Sequence, residues 1–126
     1  MRMVRDVPIM PFKKKILYVS FRFAGDPREF EEDAMKLARP LSQVPGLLWK
    51  IWMSEGSTDS FGCVYLFEDE DALNRFVDGP ICTHIDKQPE FQDIQMRSFD
   101  IMEAPSLINR APIGSGSLGR SRTDKG

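Results

Sequence analysis

Four extended segments of this chain are apolar on both of their faces, which limits how the chain can fold. They lie at 15–23, 46–55, 61–69 and 93–102 and are rich in β-branched and aromatic residues, which favour strands. Side chains alternate between the faces of a strand, so no register buries all of these apolar residues on one side. For the second segment, alternation predicts one face with Leu47, Trp49, Ile51 and Met53 and another with Leu48 and Trp52.

Two helical patterns lie between these segments. Asp26 and Glu29 form a capping box, with Pro27 at the first helical position, so a helix is predicted to begin there. We expect Pro40 to kink this helix or to end it early, because its ring clashes with the preceding turn. A second helix is predicted over 68–80, followed by another helical turn or two. The order β-α-β-β-α-β indicates an α+β, ferredoxin-like fold with an antiparallel sheet and both helices on one face.

The sheet face without helices is expected to need a partner. A second copy of the same sheet would cover it, so the pattern predicts a homodimer with the architecture of a dimeric α/β barrel. We expect an N-terminal arm at 1–14, the ferredoxin-like domain with a C-terminal extension at 15–113, and a flexible tail at 114–126. The apolar extension is expected to reach the other protomer or to cover a pocket mouth.

Composition excludes several classes of function. The 126 residues correspond to one domain, and the net charge of −2 argues against binding to nucleic acid, which requires a basic surface. No apolar run reaches the ~20 residues of a membrane-spanning helix, so no membrane partner is expected. The chain has two cysteines without C-x-x-C spacing and a single histidine, which predicts neither a disulfide framework nor a metal site and favours a cytoplasmic location. Glycine-rich nucleotide-binding motifs are absent from the sequence.

Three runs resemble a known family. They read PGLLWKIW at 45–52, GCVYLFEDEDAL at 62–73 and FDIMEAPSLIN at 99–109. They are similar to the YdhR-like family of putative monooxygenases, small proteins of the dimeric α/β-barrel superfamily that are related to antibiotic-biosynthesis monooxygenases. The resemblance covers about residues 15–110. It implies a homodimer with an enclosed cavity between sheet and helices, and oxygen insertion into a small aromatic or polyketide-like substrate.

A monooxygenase without flavin, haem or metal needs a dry pocket, a base, and a cation that stabilises the substrate anion. No cofactor is therefore expected. His84 is the predicted catalytic base, because its unperturbed pKa lies near neutrality. Arg22 is the predicted catalytic cation. The predicted substrate-binding residues are Trp49, Trp52, Tyr18, Tyr65 and Arg97.

Each of these predictions has a structural alternative. The tryptophans can be core or interface anchors, and one of them at most is expected to line a cavity within the monomer. His84 can lie on the surface, and Arg22 can pair with an acid such as Asp100. Lys50 is expected at a sheet edge or dimer rim, and Cys63 is expected to be a buried filler without a basic neighbour.

Two other functions stay open at this stage. The same fold supports an isomerase or cyclase that acts on a related substrate, because fold does not dictate reaction. A non-catalytic dimer that binds a small ligand is the alternative outside enzymes.

Overall fold

The structure, a computed structural model, describes residues 13–114. Most of the predicted arm and tail falls on 1–12 and 115–126, outside the described residues. The elements in chain order are β1 (Lys15–Phe23), α1 (Pro27–Ser42), β2 (Leu47–Ser54), β3 (Ser60–Phe67), α2 (Glu70–Val77), α3 (Pro80–Asp86), β4 (Phe91–Asp100) and α4 (Glu103–Ile108).

The four strands form one antiparallel sheet in the order β2-β3-β1-β4. The strands β2 and β3 form an antiparallel hairpin, as the short polar loop between them favours. Together with the helices that follow β1 and β3, this order is that of the ferredoxin-like α+β fold, and the predicted fold class is confirmed.

The first helix begins as its capping box predicts. The Asp26 carboxylate accepts from the backbone N–H of Arg28, and the Glu29 carboxylate accepts from the N–H of Asp26. Of the two effects expected of Pro40, a kink or an early end, the early end is wrong, since α1 continues to Ser42. Pro40 lies in the last turn, where its missing N–H removes one hydrogen bond, and the buried Leu41 side chain holds that turn against the core.

One face of the sheet, here called the inner face, packs against the helices. The residues of the central strands β1 and β3 on it are mostly buried, and phenylalanine rings from α1 and α2 pack onto them with centroids 5–6 Å apart. The buried residues of this face and its helices include Leu17, Val19, Phe21, Phe23, Cys63, Tyr65, Phe67, Phe30, Leu41, Leu73 and Phe76. Aromatic side chains therefore make up six of the fifteen buried hydrophobic residues in the described part of the chain.

The start of β2 departs from simple alternation. The register with β3 shifts between Leu47 and Trp49, so Leu47 packs against the core while Trp49 lies on the opposite face. Leu48, predicted to share a face with Trp52, is 46% exposed. Simple alternation predicts that Leu47 and Trp49 share a face. A bulge inserts one residue into the strand and moves the residues before it to the opposite face, so the prediction for Leu47 is wrong.

The other face, here called the outer face, is apolar and only partly covered. Ile51 is 49% exposed and Phe99 is 42% exposed. Towards the β2 edge, the indole N–H of Trp49 donates to the carbonyl of Pro112 over 2.8 Å. This bond lays the C-terminal segment (103–114) against the outer face of its own sheet, close to Leu66, which is 1% exposed. No helix within residues 13–114 is long and apolar enough to cross a membrane.

Candidate functional site

A small apolar cavity lies between the inner face and the helices. All four strands and the helices α1, α2 and α3 contribute to its wall. Its enclosed space is about 50 Å³, which holds on the order of four water-sized groups. The lining residues are Val19, Phe21, Phe30, Leu37, Leu41, Lys50, Trp52, Cys63, Tyr65, Phe76, Ile81, Cys82, Ile85, Phe91, Ile94 and Met96.

Among the residues that the structure describes, Lys50 is the one charged side chain lining this cavity. Lys50 and Trp52 lie two positions apart on β2 and so share the inner face, and Lys50 is directly opposite Tyr65 on β3. The Lys50 Nζ donates to the Tyr65 hydroxyl over 2.9 Å. The same Nζ lies 3.4 Å from the centroid of the Trp52 ring, a cation–π contact.

Burial shifts the pKa values of the polar groups around the cavity. Removal of its ammonium from water lowers the pKa of Lys50 to about 8. Burial raises the pKa of the Tyr65 hydroxyl and of the Cys63 thiol, and raises the pKa of the Cys82 thiol to about 11. At neutral pH the phenol and both thiols therefore keep their protons, while the amine titrates close to neutrality.

The structure confirms part of the sequence interpretation of Lys50 and Cys63 and corrects the rest. Cys63 is buried, as expected. Lys50 lies on β2, an edge strand of the sheet, as one of its two expected positions has it, but alternation from Trp52 places it on the inner face, in the cavity wall. Cys63 does have a basic neighbour, since the charge of Lys50 acts to lower the pKa of its thiol against the larger effect of burial. The signal that could have found this site was the two-residue spacing between a lysine and a tryptophan on an apolar strand.

The structure brings two of the predicted substrate-binding residues into the cavity wall, Trp52 and Tyr65. Tyr18, Arg97 and Trp49 lie on the outer face, through register with their neighbouring strands. Arg97 lies over the ring of Phe99, with its guanidinium carbon 5.0 Å from the ring centroid. The expectation that at most one tryptophan lines the cavity of the monomer agrees with this placement.

Arg22 lies at the outer-face end of β1, away from the cavity. Its guanidinium pairs with Asp93 over 2.6 Å and with Asp59 over 3.4 Å. Asp93 has a φ of 53° at the point where the register between β1 and β4 shifts, and this bulge brings its carboxylate to Arg22. Asp100, the partner considered from sequence, pairs instead with Lys15.

His84 lies on α3 but not in the cavity wall. The inward-facing residues of this helix are Ile81, Cys82 and Ile85, whereas His84 is exposed. Its Nε2 lies 3.5 Å from the Nε2 of Gln88, one turn further along the chain. The structure therefore does not bring the predicted base next to Lys50, Trp52 and Tyr65.

A second hollow lies beside the cavity, between the N-terminal half of α1 and the end of β2. It measures about 330 Å³ and is open to solvent. Trp52 and Phe30 line both the hollow and the cavity, with ring centroids 6.1 Å apart. These two rings are the wall between the enclosed space and the solvent.

No group of three or more His, Cys, Asp or Glu side chains within residues 13–114 is arranged to hold a metal ion. A ferredoxin-like sheet that packs with its helices around an apolar cavity, with one amine and one phenol in the wall, has the features of a candidate small-molecule site. The family described as Putative mono-oxygenase ydhR matches residues 16–112, and the chain belongs to this family. The resemblance inferred from sequence is thereby confirmed.

Solved structures with the same fold include oxygenases. SnoaB from Streptomyces nogalater, a cofactor-independent oxygenase, is 21% identical over 71% of this chain and 93% of that one, with a TM-score of 0.60. A putative antibiotic biosynthesis monooxygenase from Deinococcus radiodurans is 17% identical over 71% of this chain and 94% of its own, with a TM-score of 0.62. MhuD from Mycobacterium tuberculosis, a heme-degrader with two hemes bound in its active site, is 16% identical over 70% and 95%, with a TM-score of 0.56. No curated protein matches the chain.

Proposed function

We propose that this protein is a cofactor-independent monooxygenase that oxidises a small, electron-rich aromatic or polyketide-like molecule in the cavity on the inner face. Membership of the monooxygenase family supports the reaction class. The likeness in fold to SnoaB shows that such a sheet and helix arrangement occurs in a cofactor-independent oxygenase. The observation that carries the proposal is the partly buried Lys50 amine, held between the Tyr65 hydroxyl and the Trp52 ring.

The proposed role of Lys50 is to take and then hold the substrate proton. With a pKa of about 8, a substantial share of the amine is unprotonated just above neutrality and can accept a proton from a phenol or enol. The ammonium that results pairs with the new anion in a cavity where water does not screen the attraction. Tyr65 keeps its proton, so its hydroxyl can donate a second hydrogen bond to the same oxygen.

The oxygen step then uses the substrate as the reductant. The anion gives one electron to O₂, and the resulting radical and superoxide combine into a peroxide at a substrate carbon. Loss of water from that carbon leaves a carbonyl, so that CH₂ and O₂ become C=O and H₂O. One oxygen atom enters the product and the other leaves as water, and no cofactor takes part.

The size of the cavity limits how a substrate binds. An enclosed volume of about 50 Å³ is smaller than the roughly 150 Å³ that holds a single benzene ring in an engineered protein cavity. An aromatic substrate therefore has to widen the space. Rotation of Trp52 away from Phe30 would join the cavity to the neighbouring 330 Å³ hollow, and we propose this as the route of entry.

We further propose that the protein is a homodimer through its outer face. Ile51 and Met53 on one edge strand and Phe99 on the other expose between 37% and 49% of their surface there, so apolar side chains meet water at both edges of this face. A partner sheet would also close the hollow of about 300 Å³ that Tyr18 and Arg22 line on that face. Sedimentation at micromolar concentration is expected to show a dimer. A stable monomer at that concentration would refute the proposed homodimer.

The test of the reaction is oxygen uptake with single-ring hydroquinones, with the uncatalysed rate subtracted. We expect turnover by the wild-type protein and incorporation of one atom from labelled oxygen gas into the product. Lys50→Met is expected to lower the rate by about a hundredfold or more, the usual contribution of a base and its charge. Lys36→Met, which removes an exposed lysine of α1, is the matched control and should leave the rate unchanged.

Other outcomes would contradict the proposal. Product formation under strict anaerobiosis would indicate an isomerase or cyclase, and saturable binding without a product would indicate a ligand-binding protein. His84→Ala is expected to leave the rate unchanged, because His84 lies outside the cavity wall. A large loss in His84→Ala with full activity in Lys50→Met would return the role of base to the histidine.

A further inference from the structure

We propose that Lys50 is a carbonyl-binding nucleophile, which condenses with small uncharged aldehydes in the inner-face cavity to form an imine. The proposal does not depend on the oxygenase reaction, since imine formation uses neither O₂ nor an electron-rich substrate. It adds a covalent site, and a class of ligand, that oxygen chemistry does not require.

The surroundings of the amine carry this inference. Schiff-base lysines lie in apolar pockets, where removal from water disfavours the ammonium and leaves a nucleophilic lone pair. Lys50 meets this condition, because the residues that α1, α2 and β4 contribute to the cavity are all apolar. The titratable groups that face it are Tyr65 and Cys63 on β3 and Cys82 on α3, and burial raises the pKa of each of the three. None of them is an acid that would hold the amine as an ammonium at neutral pH.

Tyr65 supplies the proton that the reaction needs. The Lys50 nitrogen attacks the carbonyl carbon, the C–N bond forms, and a proton moves to the oxygen to give a carbinolamine. Water then leaves as the C–O bond breaks, so that an amine and an aldehyde become an imine and water. The Tyr65 hydroxyl lies 2.9 Å from Nζ, within reach of the departing oxygen, so it can pass a proton to that oxygen and regain one from the nitrogen.

The cavity also sets the class of carbonyl compound. Its enclosed space of about 50 Å³ accepts about four heavy atoms without movement of the wall, and its lining favours an uncharged ligand. Propanal has this size and polarity. A charged keto acid would have to bury its carboxylate among apolar side chains, which is costly without a second cation.

The difference in pKa between Lys50 and an ordinary lysine predicts how much faster Lys50 reacts with an aldehyde. At neutral pH a pKa of about 8 leaves about a tenth of the amine unprotonated, against about one part in three thousand at the ordinary value of 10.5. The lower basicity of Lys50 makes each free amine somewhat less nucleophilic. We therefore expect Lys50 to react about a hundredfold faster than an exposed lysine such as Lys36.

The experiment traps the imine in the wild-type protein. Propanal and cyanoborohydride are added under nitrogen at neutral pH, and the N-propyl groups are located by peptide mass mapping. Cyanoborohydride reduces an imine but not a thiol adduct, so reaction at Cys63 or Cys82 does not register. The proposal predicts that Lys50 is the first lysine side chain to be labelled, at a rate that levels off above about pH 8.

Two variants test the role of the Lys50 amine and the role of Tyr65 as its proton donor separately. Lys50→Arg keeps a cation that forms no imine and should abolish the early label while Lys36 still reacts. Tyr65→Phe should slow labelling at Lys50 at least tenfold without moving it to another site. Labelling spread evenly over the exposed lysines of the wild-type protein would overturn the proposal, and this readout needs no variant to fold. Because oxygen is excluded, the labelling does not depend on oxygenase turnover, which the oxygen-uptake experiment measures separately.

Discussion

The two faces of the sheet are built from similar residues but have different roles. On the inner face the aromatic side chains are covered by helices, and the one cation of the cavity wall, Lys50, is held away from water. On the outer face Ile51, Met53 and Phe99 are between 37% and 49% exposed, and the cations Arg22 and Arg97 remain in contact with solvent. The difference shows that alternation along four strands is enough to separate a cavity shielded by helices from an apolar surface in contact with solvent.

The largest expected effect compares one phenylalanine from each face. Phe67 is fully buried on the inner face and Phe99 is 42% exposed on the outer face. Phe67→Ala should lower the free energy of unfolding by about 3–5 kcal/mol, the usual cost of a large cavity in a core. Phe99→Ala should cost less than about 1 kcal/mol in dilute solution, where monomers predominate. If urea titrations gave the same loss of unfolding free energy for the two variants, the two faces would not differ in burial.

The next comparison places a charge on the outer face. Ile51→Asp puts a carboxylate where the proposed partner sheet would pack, and should weaken dimerisation by at least about a hundredfold, or about 2.7 kcal/mol. Met35→Asp is the matched control, because Met35 is an equally apolar and 74% exposed residue on α1. Sedimentation equilibrium measures both. If the two variants dimerise equally well, the outer face is not the interface.

Lys50 is expected to make the protein less stable at neutral pH. Its pKa is about 8 in the folded chain and about 10.5 when unfolded, so the unfolded chain binds more protons between these values and stability rises with pH across that window. Lys50→Met should therefore raise the free energy of unfolding by about 1–2 kcal/mol at neutral pH, with the gain lost above about pH 10. Urea titrations at neutral pH and above about pH 10 measure the unfolding free energy, with Lys36→Met as the exposed control. A variant less stable than wild type at neutral pH would contradict the burial of the ammonium.

The smallest expected effect concerns the covered edge of the outer face. Trp49→Phe removes the 2.8 Å hydrogen bond to the Pro112 carbonyl and should cost about 1 kcal/mol. Amide exchange within the C-terminal segment should become faster, because that bond lays the segment on the sheet. Trp52→Phe, which alters the ring on the opposite face, should leave exchange there unchanged. The same exchange rates in all three proteins would show that the segment is held by other contacts.

The sequence predicts the order of elements, the capping box at Asp26 and the two-sided character of the strands, because each of these follows from local spacing. The bulge at Leu47 could not be predicted, since it depends on how β2 pairs with β3. The position of the C-terminal segment depends on one long-range bond from Trp49.

The candidate site was only half predictable. Trp52 and Tyr65 were chosen for their chemistry, and the structure places both at the cavity. For Lys50 the sequence predicts a position at a sheet edge or dimer rim, because a lysine in a strand usually reaches water. The burial that changes its pKa comes from helices distant in sequence. His84 was chosen for its unperturbed pKa, which says nothing about which side of a short helix it occupies.

The most direct test of this account is the pKa of Lys50, measured by NMR titration of its side-chain Cε and Nζ signals in the wild-type protein. The account predicts a midpoint near pH 8, together with slowed exchange of the Nζ protons that bond to Tyr65. A midpoint at the ordinary value of 10.5 would contradict it, because the amine would then be in water rather than in the cavity.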